Sequence, residues 1–147
     1  MNTIDETSIK ICNSLLRGEL SAIETYAQAI RTYTAGPVAD RLREIKNEHL
    51  LSAQLIAENV ADMGGEPGID AGRWGVFAKT IQGASDLLGP DSAMESIRHG
   101  EEVGRFNYEQ ALVDDSVMPD CKILIREKLL PLVRKHISIL KSLHQIA

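Results

Sequence analysis

Apolar residues recur with helical spacing over four long segments of this chain, and that periodicity is the strongest constraint on its fold. Within each segment they are separated by steps of three or four residues, which places them on one face of a helix. The four faces carry Ile9, Cys12, Leu16, Glu19, Ile23, Tyr26 and Ile30; Val38, Leu42, Ile45, His49, Ser52 and Ile56; Met94, Ile97, Glu101, Gly104, Tyr108 and Ala111; and Leu129, Val133, His136, Leu140 and Leu143. The pattern predicts four long amphipathic helices.

Glycine and proline are gathered between these segments and predict where the helices end. The breaks are Gly36-Pro37, Gly64 to Gly75, Gly89-Pro90 and Asp114 to Pro119. Short turns inside two helical hairpins, at about 3–63 and 91–146, with one crossover at about 64–90, indicate an all-α four-helix bundle. The whole chain, 1–147, is expected to form a single domain.

Two details modify this plan. The crossover has its own helical spacing, which predicts a short fifth helix lying across the bundle and packing on its core. That helix would carry Trp74, Phe77, Ile81, Ala84 and Leu88. Pro131 falls inside the last segment, where its missing N–H predicts a kink or a late helix start.

Composition excludes several classes of function. Sixteen Lys and Arg against 21 Asp and Glu leave a net charge of −5, so no basic surface is expected for nucleic acid. The chain has neither a long apolar run nor a signal-peptide pattern at its start, which predicts a cytoplasmic protein without a membrane partner. Cys12 and Cys121 are far apart in sequence and outside any CxxC or Cys/His cluster, so they indicate neither a redox motif nor a zinc knuckle.

The two halves of the chain are related by an internal repeat. Glu19 is followed seven residues later by Tyr26, and Glu101 is followed at the same spacing by Tyr108. Helical periodicity alone does not require this match, because Glu is not a core residue type. The repeat predicts a bundle with approximate twofold symmetry.

Four ionisable residues occupy core positions, one on each helix: Glu19, His49, Glu101 and His136. Counted from the hairpin turns at about 1.5 Å per residue, the two members of each hairpin lie at similar depth. We therefore expect all four side chains to converge near the middle of the bundle. Two carboxylates in one core repel each other unless a cation or a proton lies between them, and a metal ion would satisfy all four groups.

This pattern resembles that of the ferritin-like superfamily, most nearly its small bacterial four-helix-bundle proteins of unknown function. In rubrerythrin-like members a ligand helix carries Glu, then Ala three residues later and Tyr seven residues later. The matching residues are Glu19, Ala22 and Tyr26 on the first helix, and Glu101, Gly104 (in place of Ala) and Tyr108 on the third.

The resemblance implies a metal site with four ligands and two supporting tyrosines. The implied ligands are Glu19, His49, Glu101 and His136; Tyr26 and Tyr108 would hydrogen-bond around them; and the cofactor would be one iron, manganese or zinc ion. In the two-metal relatives a bridging Glu stands three residues before each His, whereas this chain has Lys46 and Val133 there. This departure favours a single ion, because Glu44 and Glu48 lie on other faces of the same helix.

Three functions remain open from the sequence. The first is a bundle that binds one metal ion at a degenerate carboxylate and histidine site. The second is a metal-dependent oxidase or peroxidase, against which the residues at 46 and 133 argue. The third is a metal-free structural or interaction bundle with a relic polar core, which forms a homo-oligomer through its crossover helix or outer helix faces. His99 and His144 are expected to face solvent.

Overall fold

The computed structural model describes residues 3–33, 36–68 and 90–146, and within these ranges it contains helices and no strand. Helix α1 is Thr3–Tyr33, α2 is Pro37–Asp62 and α3 is Pro90–Val113. The last helix, α4, consists of Pro119–Leu124, a π-helical segment Ile125–Leu129, and Leu130–Ile146. The prediction of an all-α chain with four long helices is confirmed for these ranges. The predicted crossover helix, Trp74 to Leu88, lies outside the described residues.

A tight turn joins α1 to α2. Gly36 adopts a φ of 109°, a conformation that residues with a Cβ rarely take. Pro37 begins α2 at a position where the missing N–H leaves no helical hydrogen bond unmade. The two helices run antiparallel, since Ser8 near the start of α1 contacts Met63, just beyond the end of α2.

Helices α1 and α3 also run antiparallel. Tyr26 of α1 contacts Glu101 of α3, and Tyr108, further along α3, contacts Glu19, which is earlier in α1. In both contacts the Tyr comes from one half of the sequence repeat and the Glu from the other half.

Pro131 is accommodated by a change of helix type immediately before it. The N–H of Leu130 bonds to the carbonyl of Ile125, five residues earlier, which is the π-helical pattern. A proline inside a helix has no N–H and its ring crowds the preceding turn. The helix therefore continues through Pro131, with the wider π turn immediately before it. Because α4 begins at Pro119, the alternative of a late start at Pro131 is wrong.

The buried residues form two apolar clusters with a polar layer between them. The first cluster contains Leu16, Ile56, Val60, Ile125 and Leu129, and the second contains Ile30, Leu42, Met94, Ile97 and Leu140. Helices α2, α3 and α4 pass from one cluster to the other at their ionisable core residue. The transitions are Ile45 to Ala53 around His49, Ile97 to Tyr108 around Glu101, and Val133 to Leu140 around His136.

Among the described helices, none combines the length and the apolar character that crossing a membrane requires.

Candidate metal centre

The polar layer contains one ionisable side chain from each long helix. Glu19 is 5% exposed, His49 and Glu101 are each 3% exposed, and His136 is fully buried. Buried ionisable groups cost free energy unless each finds a partner of opposite charge or a good hydrogen bond. Their partners therefore define what this layer can do.

His49 lies between two carboxylates. Its Nδ1 is 2.5 Å from Glu19 Oε2, and its Nε2 is 2.9 Å from Glu101 Oε2. A protonated imidazole donates from both ring nitrogens, so one ring satisfies one oxygen of each carboxylate. The ring thereby joins α1, α2 and α3.

His136 also lies between two carboxylates, those of Glu48 and Glu101. Its Nε2 is 3.0 Å from Glu48 Oε1, and its Nδ1 is 3.2 Å from Glu101 Oε2. Glu48 also accepts a hydrogen bond from Lys135 Nζ at 2.9 Å. Burial raises the pKa of the Glu48 carboxyl, but hydrogen bonds from Lys135 and His136 and their charges lower it overall.

The two histidines direct one nitrogen each toward the same carboxylate. His49 Nε2 and His136 Nδ1 both face Glu101, and the opposite nitrogens are held by Glu19 and Glu48. The ring centroids are 4.8 Å apart. Metal-binding histidines commonly have this arrangement, in which a carboxylate behind the ring fixes its orientation and raises its basicity.

His49, Glu101 and His136 form a group that could hold a metal ion. One ligand atom from each lies within 4.8 Å of the other two. Around a tetrahedral ion with bonds of about 2.1 Å, pairs of ligand atoms are about 3.4 Å apart. The most widely separated pair in this group would therefore need to close by at most about 1.4 Å.

Two atoms of this group have no hydrogen-bond partner among the described residues. They are Glu101 Oε1 and His136 Nδ1, and both are buried. Nδ1 lies 3.2 Å from Glu101 Oε2 but makes no hydrogen bond with it. In the neutral tautomer that donates from Nε2 to Glu48, Nδ1 would offer a lone pair. Unpartnered buried polar atoms are rare and call for an explanation. A cation bound to these two atoms would supply one, so the residues present fit a metal ion.

The electrostatics of the layer keep Glu101 ionised and His49 protonated. Burial raises the pKa of Glu101, but the close approach of His136, the hydrogen bond from His49 and the charges of the two rings lower it to about 2. Burial lowers the pKa of His49, but the charge of Glu19 and hydrogen bonds to Glu101 and Glu19 raise it to about 10. Without a metal ion, the His49 imidazolium is thus the cation that holds the layer together.

Both repeat tyrosines donate to the carboxylates of this layer. The Tyr26 hydroxyl is 2.6 Å from Glu101 Oε2, and the Tyr108 hydroxyl donates to Glu19 Oε1. Burial and the charge of Glu101 raise the pKa of Tyr26 above its ordinary value, and burial and the charge of Glu19 do the same for Tyr108. Both phenols therefore remain protonated hydrogen-bond donors.

A cavity of about 470 Å³ reaches the polar layer between α1 and α3. The functional side chains in its wall are Glu19, Tyr26, His49, Glu101 and Tyr108. Its wall also contains Gly18, Gly100 and Gly104, where an added Cβ would meet nothing within 4 Å. These glycines leave room for a small molecule beside the candidate metal centre.

The structure brings together all four residues predicted as ligands, but in different roles. His49, Glu101 and His136 share the close group, whereas Glu19 lies behind His49 on its Nδ1 side. Helical spacing placed Glu48 on another face of its helix and left it out of the site, whereas the structure places its Oε1 3.0 Å from His136 Nε2. The only sequence feature that pointed to Glu48 is its position next to His49, because the neighbour of a core histidine can be half-buried and reach the next helix.

Neighbouring predictions can also be placed. His99 is exposed, as expected, and the side chain of His144 lies outside the described residues. Val133, at the position of a bridging Glu in the two-metal relatives, is buried in the apolar core, and Lys46 is half-buried. Neither residue supplies the carboxylate that a second ion would need.

No protein-family model, curated protein or solved structure matches the chain.

Proposed function

We propose that this protein is a ferritin-like bundle that binds one divalent transition-metal ion through His49, Glu101 and His136. The observation that carries the proposal is that two buried polar atoms of the group, Glu101 Oε1 and His136 Nδ1, lack any hydrogen-bond partner among the described residues. Two imidazoles and one carboxylate are a ligand set used for iron(II) and zinc. We assign iron, manganese or zinc as the candidate ions.

The charges around the group support a divalent cation. Glu19, Glu48 and Glu101 contribute three negative charges, and Lys135 offsets one of them through Glu48. A divalent ion offsets the other two once His49 is neutral. Because ligands must be deprotonated to bind a metal, the ion would replace the proton that His49 carries without it.

In this proposal each residue behind the ligands has a role. Glu19 accepts the Nδ1 proton of His49, which leaves Nε2 directed toward Glu101. Glu48 does the same for Nε2 of His136. Tyr26 donates to Glu101 Oε2 and so favours Oε1, the free oxygen, as the metal-binding atom.

The cavity favours a second candidate function, in which a small molecule reacts at the bound ion. Three protein ligands leave coordination positions open, and the cavity lies against two of the ligands, His49 and Glu101. A bound iron ion would supply Lewis acidity and one-electron chemistry. Tyr26 and Tyr108 would donate hydrogen bonds or protons at the carboxylates that they contact.

Metal analysis tests the proposal directly. Chelator-treated protein is loaded with Fe(II) without oxygen, or with Mn(II) or Zn(II), then gel-filtered and analysed for metal. We expect one ion per chain in the wild type and less than a tenth of that in Glu101→Gln and His136→Gln. The matched control is Glu44→Gln, which removes an exposed carboxylate paired only with Arg41.

The control should bind like the wild type. A wild type that retains none of the three metals, or a control that loses as much metal as Glu101→Gln, would contradict the proposal.

A further inference from the structure

The two cysteines of the chain meet in the buried core. Cys12 of α1 and Cys121 of α4 are 109 positions apart in sequence, yet their sulfur atoms are 2.6 Å apart. Cys12 is fully buried and Cys121 is 2% exposed. The sequence indicated no redox motif because their spacing matches none, and only the packing of α1 against α4 brings them together.

Ser8 fixes the two helices at this contact. Its hydroxyl oxygen accepts a hydrogen bond from the backbone N–H of Met118, immediately before α4, at 3.0 Å. The same hydroxyl lies 3.4 Å from the sulfur of Met63. Cys12 is one helical turn after Ser8, and Cys121 is in the first turn of α4. The sulfur contact is therefore held on both sides by secondary structure.

The two thiols differ in acidity. The hydrogen bond from Cys121 lowers the pKa of Cys12, against the effect of burial, and Ser8 adds to the lowering. The hydrogen bond to Cys12 raises the pKa of Cys121, as does burial. Cys12 is accordingly the more acidic thiol of the pair, and its thiolate is the nucleophile that forms first.

We propose that Cys12 and Cys121 are a redox-active pair that hydrogen peroxide converts into an intramolecular disulfide linking α1 to α4. Both sulfurs are almost completely buried, so a small oxidant can reach them where a protein disulfide cannot. A metal ion between the sulfurs does not fit the contact, because two thiolates on one zinc ion are about 3.8 Å apart.

The reaction balances in two steps. The Cys12 thiolate attacks one oxygen of the peroxide, the O–O bond breaks, and the other oxygen leaves as hydroxide, which gives a sulfenic acid on Cys12. The Cys121 sulfur then attacks that sulfur, the S–O bond breaks, and the oxygen leaves as water with the Cys121 proton. Two thiols are oxidised and one peroxide is reduced to two waters.

Thiol counting on the whole chain tests the inference. Chelator-treated, reduced protein is exposed to a small excess of hydrogen peroxide, quenched with catalase, denatured and alkylated before mass spectrometry. We expect two alkyl groups per chain before peroxide and none after it, with one linked peptide pair containing Cys12 and Cys121. Because the bond closes a long loop, the melting temperature should rise by about 5 °C or more.

Single variants separate the two steps. In Cys121→Ser the reaction should stop at the sulfenic acid of Cys12, which dimedone traps, and the melting temperature should not rise with peroxide. In Cys12→Ser, dimedone labelling of Cys121 should be at least tenfold weaker. Retention of both thiols by folded wild type, or disulfides formed only between chains, would overturn the inference. Metal removal beforehand keeps this test independent of the proposed metal centre.

Discussion

The hydroxyl of Tyr26 donates a hydrogen bond to Glu101 Oε2 across α1 and α3, at 2.6 Å. Tyr108 donates to Glu19 in the same way, so each half of the sequence repeat supplies a donor to the carboxylate of the other half. The repeat is thus expressed as two reciprocal contacts at the centre of the bundle. They link the hairpins at the layer where the candidate ligands lie.

Removing either tyrosine hydroxyl should destabilise the metal-free protein. Tyr26→Phe leaves Glu101 with one donor fewer in a buried layer, at a cost of about 1–3 kcal/mol in the free energy of unfolding. Urea denaturation measures the change. The matched control is Thr25→Val, which removes an exposed hydroxyl bonded only to the Ser21 carbonyl and should cost about 0.5 kcal/mol or less. Equal costs in the two variants would contradict the role given to Tyr26.

Glu19 and Glu101 should respond differently to neutralisation. Glu101→Gln removes a ligand and should abolish specific metal binding, whereas Glu19→Gln removes only the carboxylate behind His49. Loss of such an outer partner typically weakens metal affinity about 10- to 100-fold. Calorimetric titration of both variants with Zn(II) measures the difference. If Glu19→Gln lost binding as completely as Glu101→Gln, Glu19 would itself be a ligand.

The metal-free protein should lose stability as the pH rises above neutrality. The pKa of His49 is raised from 6.5 to about 10 on folding, because its two carboxylate partners outweigh burial. A raised pKa gives stabilisation that is complete below about pH 6.5 and is lost as the pH rises through about 10.

The free energy of unfolding should therefore fall between pH 6.5 and 9, by at most about 1.4 kcal/mol per pH unit. Urea denaturation of chelator-treated wild type and of His49→Gln tests this expectation. The variant lacks the titrating group, so its slope over the same range should be shallower. The account of His49 fails if the two slopes agree.

Glycines in the cavity wall and in the loop after α2 should respond in opposite directions to alanine. Gly100 is exposed within α3, and its added Cβ meets nothing within 4 Å, so Gly100→Ala should stabilise by up to about 1 kcal/mol. An added Cβ on Gly65 would lie 2.7 Å from Ile9, so Gly65→Ala should destabilise. Thermal melts of both variants measure the direction of each change in stability. Destabilisation by Gly100→Ala would contradict the open space beside Gly100.

Much of the fold follows from local pattern. The three-and-four spacing predicts the four long helices, and Gly36-Pro37 predicts the turn between the first two. The helix types around Pro131 did not follow, because the local switch to π geometry depends on how α4 packs. The sequence predicts that Pro131 removes one backbone hydrogen bond, but it does not predict which helix geometry accommodates the loss.

The membership of the polar layer was predictable, but its internal pairing was not. Core positions pointed to Glu19, His49, Glu101 and His136 because ionisable residues interrupt an apolar face. Which nitrogen of each ring faces Glu101 depends on carboxylates from neighbouring helices, and Glu48 reaches His136 only through the packing of α2 against α4. Long-range contacts of this kind leave no spacing signal in the sequence, and the same holds for Cys12 and Cys121.

Anomalous diffraction from crystals loaded with Zn(II) would locate the ion itself. We expect one peak per chain in the polar layer, within about 2.0–2.2 Å of His49 Nε2, His136 Nδ1 and a Glu101 carboxylate oxygen. The same peak should be absent from Glu101→Gln crystals treated identically. An empty polar layer in zinc-loaded wild type, or two ions bridged by carboxylates there, would contradict the proposed single-ion site.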